Sequence, residues 1–288
     1  MARMSSERFS RRCESPSCPY RKRTWHVWLG PQRGLSVDGR WYCSAECSLV
    51  ALTSSIEQVL PVTVRPHTAA HRVPLGLLML SRGYVDNEQL RKALKAQRES
   101  GSGRVGDWLR HIGAATEEQV TQVLGWQWSI PVFPLNQTRQ YVECAHLIPL
   151  PLLEAAAMVP VHYLAASHYL YLAFVDRINY TALYSVEKII ECHTEPCLAL
   201  QSHVRQALEE LRRRPRPPEI TIDNVSEPGE MAKTTLSYTL RLDASSVRIS
   251  GFSGFIWIRI FSPPGWSDLL FQVRADQPEA NFDTAAQE

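Results

Sequence analysis

The sequence predicts an α+β multidomain chain of four parts: a small zinc finger, a four-helix unit made by a duplicated helix-turn-helix, an α/β subdomain and a small C-terminal α+β domain. Three observations predict it. Cys13, Cys18, Cys43 and Cys47 crowd the start of the chain; residues 74–127 repeat themselves after a shift of thirty; and from Met158 onward apolar runs switch between strand and helix periods. A chain of 288 residues divides into two to four domains at roughly 100–200 residues each. The expected boundaries are 1–60 for the finger, 70–130 for the duplication, 131–212 for the α/β subdomain and 219–276 for the last domain. A tail at 277–288 is expected to be disordered.

Composition removes several function classes. Net charge is only +2, so nothing global favours nucleic acid or an anionic membrane. The basic N-terminus (Arg3, Arg8, Arg11, Arg12) lacks the apolar stretch of a secretory signal. Met158–Val175 is the longest apolar region, but Pro160, His162 and His168 break it. A membrane span needs about 20 mostly apolar residues, so two short strands are expected there and no span. Seven cysteines, four of them clustered, argue for a reducing compartment and metal ligation, and hence for the cytoplasm.

The first region holds Cys13-x4-Cys18 and Cys43-x3-Cys47, then a short helical pattern at Ser48–Val59 and a linker marked by Pro61 and Pro66. Trp41-Tyr42-Cys43 reads as a strand entering a helix, on whose first turn cysteines at i and i+4 share a face. Four thiolates satisfy a tetrahedral zinc and leave no open position for catalysis, so a structural zinc is the expected cofactor, with free thiols as the alternative. The segment Tyr42-Cys43-Ser44-Ala45-Glu46-Cys47 resembles the helical end of treble-clef zinc fingers. Arg21, Lys22, Arg23 and Trp25 read as a solvated face; contact with nucleic acid is the rival reading.

The duplication aligns Leu75-Gly76 with Val105-Gly106, Met79 with Leu109, Gly83 with Gly113, Asp86 with Thr116, Gln89 with Gln119, Leu90 with Val120, Leu94 with Leu124 and Gln97 with Gln127. Each copy predicts a helix ending at a glycine that takes the left-handed conformation, then a second helix opened by a capping box. Leu90 and Leu94, like Val120 and Leu124, are expected to face the partner helix. Gly76 and Gly106 fall in a first helical turn, where alanine would be more stable by roughly 1 kcal/mol, so something must approach the backbone there. With Gln97, Gln127 and Arg104, these features suit a phosphorylated ligand carrying a flat base; capping and core packing are the plainer account.

The pattern Arg-Leu-Gly, two residues, Leu, three residues, Gly, six residues, Leu, three residues, Leu, two residues, Gln resembles the tandem motif of the MshEN domain, the N-terminal regulatory domain of type II secretion and type IV pilus assembly ATPases. The second copy, Arg104-Val105-Gly106 through Gln127, fits with conservative changes; the first, Pro74-Leu75-Gly76 through Gln97, departs at its opening residue. Residues to about Leu211, with Pro160, Asp176 and a closing helix, resemble the α/β subdomain that follows, so the resemblance spans about residues 70–212. It implies binding of cyclic di-GMP, one half per motif, by Leu75, Gly76, Gly83 and Gln97 with Arg104, Val105, Gly106, Gly113 and Gln127. Pro74 stands where the family has a basic residue, and a lost charged contact costs about 1.5–3 kcal/mol. No G-x-x-x-x-G-K-[ST] occurs, so the family's motor motif is missing, and Gly101-Ser-Gly103-Arg-Val-Gly106 follows a helix instead of a strand.

In the third region, 159–164 and 169–175 read as strands, 180–190 as a helix, 197–200 as a strand and 202–211 as an amphipathic helix. Cys192, His193 and Cys197 lack a fourth partner and read as ordinary reduced residues; His162 and His168 read as surface or satisfied groups. Arg212 to Pro218 reads as a stiff, charged, extended linker. The last region offers a strand at 220–223, a helix at 230–242 and a meander at 247–250, 255–261 and 269–273; its middle strand is too apolar to be exposed on both faces. The sum is a non-catalytic cytoplasmic, nucleotide-responsive adaptor that signals through contacts with a protein partner. Two alternatives are a protein-binding scaffold of a secretion or pilus system and a zinc-finger nucleic-acid-binding regulator.

Overall fold

The computed structural model describes residues 12–19, 34–60, 72–223, 225–252, 254–263 and 265–273. Arg3, Arg8 and Arg11 of the basic N-terminus, the cluster Arg21 to Trp25, the linker at Pro61 and Pro66 and the tail at 277–288 lie outside the described residues. Two compact units form: Met1–Val62 with Pro217–Glu288, and Thr63–Arg216.

Strands β1 (Leu35–Val37) and β2 (Arg40–Tyr42) make a hairpin that turns at Asp38 and Gly39, both at positive φ, the geometry that two-residue hairpin loops require. Helix α1 (Ala45–Val59) follows, its N-cap Ser44 accepting the Cys47 N–H at 3.2 Å. Leu52 and Ile56, one turn apart, are fully buried and point α1 into its unit's core.

The other unit opens with α2 (Leu75–Ser81), α3 (Asn87–Ser100), α4 (Val105–His111) and α5 (Glu117–Trp128), two helical hairpins around Met79, Val85, Leu90, Ala93, Leu109, Val120 and Val123. Two short helices, α6 (Tyr141–Cys144) and α7 (Leu150–Ala155), lead to β3 (Met158–Leu164) and β4 (Tyr169–Phe174), an antiparallel pair. Helix α8 (Tyr180–Ile190), capped by Asn179, returns the chain to β5 (His193–Leu198), parallel to β4. This strand begins four residues before the expected one, because its pairing with β4 runs from Tyr169 opposite His193 to Phe174 opposite Leu198. Helix α9 (Gln201–Arg212) packs Val204, Ala207 and Leu211 inward.

The arginine run after α9 is not an extended linker. Arg212 pairs with Glu154 at 2.6 Å and Arg214 with Glu210 at 2.7 Å, while Arg216 donates to the carbonyls of Ala145 and Ile148. Carboxylates and carbonyls of the same unit attract the charges whose mutual repulsion would have stretched the segment.

The remaining elements are β6 (Glu219–Ile222), α10 (Pro228–Arg241), β7 (Ser246–Phe252), β8 (Phe255–Ser262) and β9 (Gly265–Gln272). The expected meander β7-β8-β9 forms, with β6 parallel to β9. The first and last regions are nevertheless not separate domains. Strand β1 pairs parallel to β7, giving one six-stranded sheet of order β2-β1-β7-β8-β9-β6. Asp38 adds an Oδ1 acceptor for the Ile249 N–H at 3.0 Å. The reason is burial: two three-residue strands and one helix cannot enclose a core, and α1 finds its apolar partner in α10. Ile256, Ile258 and Ile260 join Met231, Ala232, Leu52 and Ile56 in one cluster. The alternate face of β8 is buried too. Trp257 is fully buried, and the Asp268 carboxylate accepts from Trp257 Nε1 and from Arg259 Nε and Nη2, all at 2.8 Å.

Candidate functional site

The two copies of the helical hairpin repeat each other in detail. Helix α2 ends with Gly83 at φ +69° and α4 with Gly113 at φ +69°. In each, the glycine N–H and the next N–H fold back onto the last turn: Gly83 to Leu80 and Tyr84 to Met79, Gly113 to Arg110 and Ala114 to Leu109. A Cβ at either glycine would meet nothing within 4 Å, so backbone conformation alone selects the residue. Capping boxes then open α3 (Asp86 with Gln89) and α5 (Thr116 with Gln119).

Gly76 and Gly106 are required for a different reason from the one the sequence suggests. A Cβ at Gly76 would lie 2.7 Å from Leu90 Cδ1; at Gly106 it would lie 3.0 Å from Val120 Cγ1 and 3.2 Å from Leu75 Cδ2. What approaches these backbones is the neighbouring helix. Leu90 and Val120 are equivalent positions, so the same crossing is built twice. Leu75 and Val105 pack at the edge of this core. The expectation for Leu94 needs correction: it is 37% exposed, and Ala93, one residue earlier, occupies the core, as Val123 does in the second copy. In the first copy the i and i+3 positions fill the interface, whereas in the second Leu124 also packs against the core beside Val120 and Val123.

The glutamines exchange places between copies. Gln97 Nε2 donates to the carbonyl of Gly103 at 2.9 Å, and Gln127 Nε2 donates to the carbonyl of Val73 at 2.7 Å. Each therefore fixes the residue just before the opening position, 104 or 74, of the other copy. The openings themselves differ. Arg104 Nη1 reaches Asp176 Oδ2 at 2.6 Å, a pair about half exposed on both sides. Pro74 offers no such group, but the Arg72 guanidinium carbon lies over the Trp128 ring, 3.6 Å from its centroid.

Copy two is also fastened to the α/β elements. Glu117 Oε1 accepts the Ser202 N–H at 2.9 Å, capping α9, whose own N-cap Leu200 has no capping side chain. Arg110 donates to Gln201 at 3.3 Å. The opposite end of copy one carries an aromatic stack instead: Tyr84 and Trp126 lie 6.3 Å apart with rings nearly parallel, and Arg82 sits 4.5 Å over Trp126. Sequence reasoning missed the partnership of Asp176 with Arg104 and the seating of Arg72. Two tryptophans at the end of α5 were the only available signal for the latter.

In the other unit the four N-terminal cysteines come together. Their Sγ atoms all lie within 4.8 Å of one another, with Cys18 and Cys43 3.5 Å apart. A tetrahedral zinc with bonds of about 2.3 Å separates its sulfurs by about 3.8 Å, so the donor set fits the ion. Cys43 ends the β2 hairpin, Cys47 sits on the first turn of α1, and Glu14 donates its N–H to the Trp41 carbonyl, tying the Cys13–Cys18 turn to the same strand. Burial and the thiols of Cys18 and Cys13 push the Cys43 pKa up; at Cys13, burial is outweighed by hydrogen bonds from the Cys43 and Ser15 backbones and the neighbouring thiols, and its pKa falls. Four ionised thiols at this spacing require a cation among them. These four cysteines could hold a metal ion. Cys192 and Cys197 are buried thiols, pushed up to about 11 and about 12 by loss of solvent, and they join no metal-binding group among the described residues.

No family model matches the chain. Over 135 residues it is 28% identical to the type IV pilus assembly ATPase PilB of Myxococcus xanthus (strain DK1622), a stretch that is 47% of this chain and 23% of that protein. The chain thus spans less than a quarter of the length of the curated relative it matches. Among solved structures, MshE with cdg aligns over 49% of this chain and 99% of that one, with 24% identity and a TM-score of 0.42. The N-terminal domain of XpsE aligns over 47% and 91%, with 18% identity and a TM-score of 0.36. Among the described residues no helix is long and apolar enough to cross a membrane.

Proposed function

We propose that residues 63–216 act as a non-catalytic MshEN-like module that binds cyclic di-GMP and passes its occupancy on through protein contacts. The observation that carries this reading is the doubled frame: two hairpins with the same caps and the same glycine crossings, each holding through a glutamine the residue just before the other's opening. Under this reading Leu75, Gly76, Gly83, Val105, Gly106 and Gly113 shape the site, Gln97 and Gln127 position its two openings, and Arg104 supplies a cation for a phosphodiester. Exchanging the half-exposed Asp176 carboxylate for a ligand phosphate is inexpensive, because such a pair contributes at most about 1 kcal/mol. Calorimetric titration with cyclic di-GMP tests it: saturable heat in the wild type, weakened about tenfold or more by Arg104→Ala, is expected. Well-folded wild type without heat would overturn it.

Pro74 favours a second reading, a protein-binding scaffold of a secretion or pilus system whose dinucleotide site has lost one cation. A flat titration combined with intact folding would select it.

The cysteine site is read as a structural zinc held by Cys13, Cys18, Cys43 and Cys47. It would tie the hairpin and α1 to the core they share with β7–β9. Metal analysis of protein purified under reducing conditions should find about one zinc per chain, and Cys47→Ser should lower both zinc content and the melting temperature of the Met1–Val62/Pro217–Glu288 unit. Zinc-free, fully stable protein would contradict this.

A further inference from the structure

Position 74 has lost the cation that position 104 keeps, and the structure places another cation beside the gap. Arg72 stands two residues upstream of Pro74, with its guanidinium carbon 3.6 Å from the centroid of Trp128. The residue between them, Val73, is held by Gln127 through its carbonyl at 2.7 Å. Gln127 and Trp128 are neighbours at the end of α5, so one helix terminus grips both the backbone and the side chain of the segment 72–73. At the second opening the position of Arg72 is taken by Ser102 and that of Trp128 by Arg98 at the end of α3, so this clamp belongs to the first opening alone.

We infer that Arg72, oriented by Trp128, is the anion-binding residue of the first half-site and takes the place of the basic residue absent at 74. The inference rests on the cyclic dinucleotide reading above. A guanidinium stacked by its face on an indole keeps its N–H edges free, in a fixed plane suited to the two oxygens of a phosphodiester. An exposed arginine without such a seat would lose more side-chain freedom on binding. Lysine cannot reproduce the arrangement, having neither the plane nor the fork.

The test is calorimetric titration of the full chain with cyclic di-GMP for wild type, Arg72→Ala, Arg72→Lys and Trp128→Leu, with intrinsic tryptophan fluorescence followed alongside. Arg72→Ala should weaken binding about tenfold to a hundredfold. Arg72→Lys should recover little of the loss, and Trp128→Leu should weaken binding while leaving the far-ultraviolet dichroism unchanged. Fluorescence of the wild type should change on ligand addition, and that of Trp128→Leu should change less. Wild-type binding that survives Arg72→Ala within about twofold overturns the role of Arg72 and leaves the dinucleotide reading standing. Absence of binding in folded wild type overturns both.

Discussion

The two helical hairpins share a frame and differ at their edges. Gly83 and Gly113 have the same φ, Asp86 and Thr116 build the same capping box, and Gly76 and Gly106 meet the equivalent side chains Leu90 and Val120. The contacts of Gln97 and Gln127 recur too, but the attachments around this frame do not. Copy two is pinned to α9 and to Asp176 through Glu117, Arg110 and Arg104. Copy one places Leu80 and Asn87 at the positions of Arg110 and Glu117, and proline at that of Arg104. What repeats is what folding demands: left-handed helix ends, satisfied first-turn N–H groups and close helix crossings. The edges are free to specialise, one half for attachment and the other for Arg72 and Arg82, seated on Trp128 and Trp126.

Substitutions at equivalent positions can break or sharpen this comparison. The largest effects are expected at the crossings. Gly76→Val and Gly106→Val should each destabilise by about 1–3 kcal/mol through overpacking, with Gly106→Val the worse. Its new Cβ is trapped between Val120, stiff at χ1, and Leu75, whereas Leu90 opposite Gly76 can swing a flexible end away. Urea denaturation measures both; a Gly76 variant markedly worse than its counterpart would show that Leu90 is as rigid as Val120.

Smaller and equal effects are expected at the helix ends. Gly83→Ala and Gly113→Ala should cost about 1 kcal/mol each, since φ is +69° in both and no neighbour intrudes on either. Unequal thermal shifts would mean that the two frames are less alike than their dihedrals. The smallest effect belongs to the edge that differs. Asp176→Asn should cost under about 1 kcal/mol, because its partnership with Arg104 is half exposed, and this should shrink further in high salt. The same variant should tighten dinucleotide binding by freeing Arg104, which calorimetry reads directly.

Local chemistry was legible in the sequence. The boundaries of α3 and α5 follow directly from Asp86 and Thr116, and the four cysteines declare themselves by spacing. Long-range pairing was not. Ser36 and Val37 lie opposite Ser246 and Val247, more than two hundred residues away, and a three-residue strand carries too few side chains to announce its partner. That single pairing turns a supposed finger and a supposed C-terminal domain into one sheet. Gly76 was legible as unusual, but the intruder it accommodates, Leu90, becomes visible only when the helices cross. Leu94 obeys the helical period and still faces solvent, while Ala93 beside it takes the core position.

The central claim is that the duplication forms one dinucleotide site with two unequal halves. Amide hydrogen exchange of the full chain, with and without saturating cyclic di-GMP, tests it most directly. The account predicts slower exchange at both openings, around Arg72–Gly76 and Gly103–Gly106, with the rest of the Thr63–Arg216 unit changing less. Protection confined to one opening, or to neither, would contradict it.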